Sequence, residues 1–287
     1  MDERFDEETS QAGLKPADEN SPELSTDHRL LATDHRPLTT DHRPLTTDHS
    51  PPTTAPRVVL FDIDGTLIKA VRRPEYRGAM REILVNVFGT FGRIGEVEFA
   101  GKTDLAIYRE ALESESISIE DIRGRLPRVE AAMVELMDRM ATTGDVYHLC
   151  PGVLDLLDAL SADQRFVVSL LTGNVERLAE AKLRVAGISH YFQERGAFGS
   201  DAEERDHLPA IAAERINLSR DAQLPAHRFI IIGDTPRDIC CARHFGARVV
   251  AVASGQHSIE QLEHHSPDAL LADLSDTKAV LKLLAEL

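Results

Sequence analysis

The chain has 287 residues, enough for one large domain or two modest ones with an ample core. Its 42% hydrophobic and 28% charged residues are ordinary for a soluble globular protein, and a formal charge of −16 argues against nucleic-acid binding through phosphate neutralisation. An anionic small substrate stays compatible, because a bound metal and a local arginine reverse the field inside a cleft. The acidic start, Met1 to Glu8, lacks the apolar run of a secretory signal, and no stretch reaches the length of a membrane span. Three cysteines, two of them the adjacent Cys240 and Cys241, cannot all pair and lack zinc-ligand spacing. They read as reduced thiols, so a cytoplasmic protein with no membrane partner is expected.

Residues 26 to 53 repeat every seven positions around Thr-Asp-His, at Asp27, Asp34, Asp41 and Asp48. A coiled coil is excluded, since Pro37, Pro44 and Pro51 break helices and no apolar seam exists. Residues 1–56 are therefore expected to be a disordered tail. The four Asp-His pairs offer a possible metal site; an expanded coding repeat, or translation starting further down, accounts for them without one.

Val58 to Phe61 then read as a buried strand that delivers Asp62 and Asp64 to its C-terminal end. Open α/β sheets bind ligands at that end, and Gly65 lets the backbone turn there. Paired carboxylates in that position suit nucleophilic attack assisted by an acid/base partner, although an Asp-Gly turn alone would also explain the segment. Roughly a hundred residues follow before the next strand, too many for a simple crossover. They read as helices over 78–88, 103–113 and 127–140, with 145–151 as a return linker.

Downstream the pattern alternates. Helices are predicted over 154–160, 175–185, 207–216 and 239–245. Strands are predicted over 166–171, 229–232 and 249–252, and a short apolar run at 269–271 precedes a last helix. Such alternation indicates a parallel, doubly wound sheet. The second strand ends in Thr172-Gly173-Asn174, where Asn174 reads as the N-cap of the next helix. The third ends in Asp234-Thr235-Pro236-Arg237-Asp238.

An acid pair, a hydroxyl and a second acid pair, each closing an apolar strand in this order, resemble the haloacid dehalogenase (HAD) superfamily of phosphohydrolases over about residues 57–287. The helical insertion is similar to the superfamily's C1-type cap, and Gly101-Lys102-Thr103-Asp104 resembles a Gly-x-Thr-Asp element of phosphoglycolate phosphatase-like members. The resemblance implies an α/β Rossmannoid core, with 57–73 and 146–287 forming the core and 74–145 the inserted helical cap.

It also implies roles. Asp62 would attack phosphorus and form an aspartyl-phosphate, while Asp64 would protonate the leaving alcohol and then deprotonate water. A carboxylate repels a dianionic ester, and Mg²⁺ shared between them removes that obstacle. The implied metal set is Asp62, Asp64 (through its backbone carbonyl), Asp234 and Asp238, with helix-dipole stabilisation as the plainer account of Asp238. Thr172 and Gly173 would hold the transferring phosphoryl group.

The superfamily places a cation between its second and fourth motifs. Lys182 lies mid-helix, where that cation is not expected, so Arg205, just before a predicted helix, is favoured as the catalytic and phosphate-binding cation over a solvated surface arginine in a charged loop. Lys102 either reaches a second anionic group on the substrate or points to water while Thr103 caps a helix. The function implied is a Mg²⁺-dependent phosphatase acting on a small phosphomonoester. The alternatives are a phosphomutase of the same superfamily and a catalytically silent binding protein on this fold. A dehalogenase is disfavoured, since such members lack the acid/base aspartate and need no metal.

Overall fold

A computed structural model describes residues 55–71 and 73–287, so the heptapeptide repeat and the rest of the expected tail through residue 54 lie outside the described residues. The first strand, β1 (Arg57–Phe61), is followed by a short strand β2 (Ile68–Ala70). Three helices come next, α1 (Pro74–Phe88), α2 (Asp104–Leu112) and α3 (Ile119–Ala141), and a short strand β3 (Tyr147–Leu149) returns the chain. Then come α4 (Val153–Ser161), β4 (Phe166–Leu170), α5 (Glu176–Val185) and α6 (Leu208–Ser219). The chain closes with β5 (Phe229–Gly233), α7 (Pro236–Phe245), β6 (Arg248–Val252), α8 (Ile259–Glu263), β7 (Ala269–Leu271) and α9 (Thr277–Glu286).

Five strands form one parallel sheet in the order β4-β1-β5-β6-β7. Alternation along the strands sends side chains to both faces, and both are covered. Val59, Phe61, Val168 and Ile230 meet Leu156, Leu157 and Leu284 on one side. Val58, Leu60, Phe229 and Ile231 meet Leu208, Ile216 and Ile239 on the other. Burial on two faces is why these strands are continuously apolar rather than alternating. Each fully buried side chain of this size stabilises the fold by about 1.5–3 kcal/mol. The chain leaves β1 for β4 on one side and then crosses to β5 on the other. The ends of β1, β4 and β5 therefore meet at the point where strand order reverses, the usual position for a ligand crevice.

The insertion after β1 is a helical layer with its own apolar centre, in which Leu84, Leu105, Leu112, Ile122 and Met133 pack together. Val175, Leu178 and Ala181, at and after the start of α5, complete that centre. Two sequence expectations need correction here. The segment 145–151 is not a plain linker, because β3 pairs antiparallel with β2, placing Lys69 opposite His148. This ladder joins the helical layer to the sheet. The third helix starts not at Pro127 but at Ile119, capped by the Ser118 side chain, with Pro127 inside the helix. Burial of Ile122, Leu126 and Val129 against the layer offsets the lost backbone bond.

Candidate active site

The end of β1 sets the geometry. Asp62 continues the strand, its N–H bonded to Ile232 O at 2.9 Å, and its carboxylate is buried. The chain then turns at Gly65, whose φ of +91° belongs to the left-handed region. A Cβ at Gly65 would lie 2.4 Å from Asp234 Oδ2, and one at Gly255 would lie 1.6 Å from the same atom. The two glycines thus open the space that the Asp234 carboxylate fills. Thr66 Oγ1 donates to Asp234 Oδ1 at 3.1 Å.

Asp62, Asp234 and Asp238 form a buried cluster in which one carboxylate oxygen from each lies within 4.8 Å of the others. Arg205 enters this cluster from the loop before α6. Its Nη2 donates to Asp62 Oδ1 at 2.9 Å and to Asp238 Oδ1 at 2.5 Å, while Nη1 reaches Gly101 O at 3.4 Å. Its Nε is buried with no partner among the described residues. Burial pushes the Asp62 carboxyl up to about 7, against the opposing pull of Arg205. Burial, followed by the charges of Asp62 and Asp238, pushes Asp234 up to about 8. Once all three carboxylates are ionised, they exceed the one guanidinium by two negative charges, and the raised values of Asp62 and Asp234 express that repulsion and burial. That donor set, all oxygen and partly desolvated, fits a hard divalent cation.

Asp238 also has a local role. Its Oδ2 accepts Thr235 N at 3.1 Å and Thr235 Oγ1 at 2.7 Å, closing a capping box at the start of α7. Helix capping and membership of the cluster thus coexist in one side chain, through different oxygens.

Asp64 faces another way. Its carboxylate is 45% exposed and lies outside the buried cluster, so a metal contact from this residue would have to come through its backbone carbonyl. Oδ2 accepts Lys182 Nζ at 2.5 Å and Asn174 Nδ2 at 2.7 Å. Lys182 also donates to Asn174 Oδ1 at 2.6 Å, and Asn174 Nδ2 to Thr172 Oγ1 at 2.8 Å. Burial pulls the Lys182 ammonium down, but Asp64, Tyr147 and Tyr76 together outweigh it and hold the pKa above its ordinary value.

Two readings of the sequence change as a result. Asn174 is not the N-cap of α5; Val175 is, and the Asn174 side chain bridges Thr172, Asp64 and Lys182. Lys182 is mid-helix as expected, yet its Nζ reaches the Asp64 carboxylate. The missed signal was its place four residues after Leu178 and beside Ala181, on the apolar face of an amphipathic helix. A lysine there must find a partner.

The structure also places Thr172 fully buried at the end of β4, where its N–H bonds Ala197 O at 3.1 Å and Gly173 follows. The segment 101–104 docks beside them. Asp104 N–H donates to Gly173 O at 2.7 Å, and Thr103 Oγ1 donates to Glu203 O at 2.5 Å while capping α2. Lys102 neither points to water nor stands free: it pairs with Glu110 on the wall of a cavity of about 680 Å³ also lined by Arg109, Glu203, Arg205 and Arg237.

A parallel sheet that gathers acids at its strand ends beside a helical insertion defines an α/β protein with a carboxylate-lined, metal-compatible site. The family described as haloacid dehalogenase-like hydrolase matches residues 56–246, and the chain belongs to that family. It is 26% identical over 223 residues to the phosphoglycolate phosphatase of Pseudomonas fluorescens (strain Pf0-1), covering 76% of this chain and 77% of that one. It is also 26% identical over 238 residues to the phosphoglycolate phosphatase of Vibrio parahaemolyticus, covering 80% and 97% respectively. The crystal structure of a predicted phosphoglycolate phosphatase from Haemophilus somnus 129PT shares the fold, with a TM-score of 0.55 at 20% identity, over 79% of this chain and 97% of that one. No helix among the described residues is long and apolar enough to cross a membrane.

Proposed function

We propose that the chain is a Mg²⁺-dependent phosphatase that hydrolyses a small phosphomonoester through an aspartyl-phosphate on Asp62. The observation that carries this reading is the separation of two carboxylates on one turn. Asp62 is buried against Arg205 among acids, whereas Asp64 is 45% exposed and held by Lys182 and Asn174. Two acids in unlike environments suit two unlike roles.

In this reading Asp62 attacks phosphorus while the ester oxygen takes a proton from Asp64 as it leaves. Water then attacks the aspartyl-phosphate, giving its proton to Asp64, and inorganic phosphate departs. Thr172 and the backbone of Gly173 hold the equatorial oxygens, and the unpaired Nε–H of Arg205 is a further donor for them. Asp62, Asp234 and Asp238 would hold Mg²⁺, with the Asp64 carbonyl as a fourth contact, and the bound ion would supply the positive charge that lets a carboxylate approach a phosphate. Residues 74–145 act as the cap that shields the cleft, and the three unpaired cysteines support a cytoplasmic setting.

The test is phosphate release from a panel of phosphomonoesters, including p-nitrophenyl phosphate and 2-phosphoglycolate, with Mg²⁺ and with EDTA. The names of the relatives make 2-phosphoglycolate the first alkyl ester to try. Release that disappears in EDTA is expected. Transfer to a sugar hydroxyl in place of water would make the protein a mutase, and release unaffected by EDTA would remove the metal from the scheme.

A further inference from the structure

We infer that Lys182 is a positioning residue, which together with Asn174 fixes the Asp64 carboxylate so that its Oδ1 carries the proton exchanged with the leaving group and with water. The inference rests on the phosphatase reading and assigns a second cation to the site.

The geometry is specific. Among the described residues, the polar partners of Lys182 Nζ are Asp64 Oδ2 and Asn174 Oδ1, at 2.5 and 2.6 Å. Lys182 comes from α5, whereas Arg205 comes from the turn before α6, and the Lys182 side chain is only 11% exposed. Burying an ammonium this deeply costs several kcal/mol, and a well-packed apolar residue would serve a helix–helix contact better. The carboxylate it holds is 45% exposed, so the pair does not close a core; it opens to solvent.

Both donors, Lys182 Nζ and Asn174 Nδ2, fall on the same oxygen of Asp64. Oδ1 is left for the reacting oxygen, and the side chain loses the freedom to rotate away from it. Asn174 also donates to Thr172 Oγ1 and so ties the acid/base to the phosphoryl-binding turn. Arg205 serves Asp62 and Asp238 in the same manner. Each carboxylate of the turn thus has its own cation.

The proton balance names the readout. When the P–O bond breaks, the ester oxygen takes the proton from Asp64 Oδ1, so a misplaced Asp64 penalises a basic leaving group more than a weakly basic one. Phenolate is the more basic of two aryl leaving groups and p-nitrophenolate the less basic. Lys182→Met should lower kcat/KM for phenyl phosphate about 10²-fold and for p-nitrophenyl phosphate no more than about threefold, since positioned acid catalysis contributes on that order. In an Asp64→Asn background the same substitution should add no further loss, because both act through one carboxylate.

Equal losses on the two esters, no loss on either, or full additivity with Asp64→Asn would overturn the assignment. Should Lys182→Met fail to fold by circular dichroism, Asn174→Ala decides the matter by the same ratio, and an equal loss on both esters overturns it. A wild-type protein that releases phosphate from neither ester with Mg²⁺ would instead bring down the phosphatase reading itself.

Discussion

Asp104 accepts the backbone N–H of Val175 through Oδ2 at 2.8 Å, so the first residue of α2 is tied to the residue that opens the helix carrying Lys182. The bond runs from the helical insertion to the sheet domain, 71 positions along the chain, beside the Asp104 N–H to Gly173 O contact. Burial pushes the Asp104 carboxyl up to about 6, against the opposing pull of Lys182. A carboxyl raised in the folded state stabilises fully below its unfolded value, near 4, and that contribution is lost as pH rises through about 6. Asp104→Asn keeps an acceptor for Val175 but cannot ionise. Relative to this variant, the wild type should lose up to about 3 kcal/mol of stability between pH 4 and pH 7, at 1.36 kcal/mol per pKa unit. Urea midpoints for both proteins across that range check the sign and the size.

Arg205→Ala should cost about 3–5 kcal/mol, because it strands the Asp62 and Asp238 carboxylates in a buried site. Arg205→Lys retains the charge but cannot span two carboxylates with a planar fork. It should recover most of the stability while kcat stays about 10²-fold down. Chemical denaturation and steady-state kinetics on the same preparations separate the two effects.

Gly255→Ala would place a methyl group where the Asp234 carboxylate lies, and that carboxylate must move. Apparent Mg²⁺ affinity should fall by about 10- to 100-fold, the range seen when groups supporting a metal ligand are disturbed. Titration of activity against Mg²⁺ gives the number. An unchanged activation constant would remove Asp234 from the metal set.

Asp62→Asn is nearly isosteric and removes a carboxylate whose burial is unfavourable. Turnover should fall by about 10³-fold or more, as when a nucleophile is deleted, with the thermal midpoint no lower than that of the wild type. Retained turnover would rule out Asp62 as the nucleophile.

Three apolar runs, each ending in a polar cluster, declared the parallel sheet and the placing of Asp62, Asp64, Thr172, Asp234 and Asp238, because strand period and turn chemistry are local properties. Arg205 was legible only through the need for a cation between two motifs; its fork onto Asp62 and Asp238 spans 143 and 33 positions. The β2–β3 ladder is not legible in the sequence because three-residue strands carry too little pattern and depend on a partner far along the chain. The continuation of α3 through Pro127 was decided by packing, which outweighs propensity.

Lys182 and Asn174 mark the boundary most clearly. The sequence by itself determined that a lysine sits on the apolar face of α5 and that an asparagine precedes the helix. Only the tertiary structure decided that both side chains converge on Asp64, more than a hundred residues earlier. The reason is physical: a buried ammonium requires a carboxylate, but which one it meets is set by how α5 packs between the sheet and the helical layer, and no local pattern encodes that.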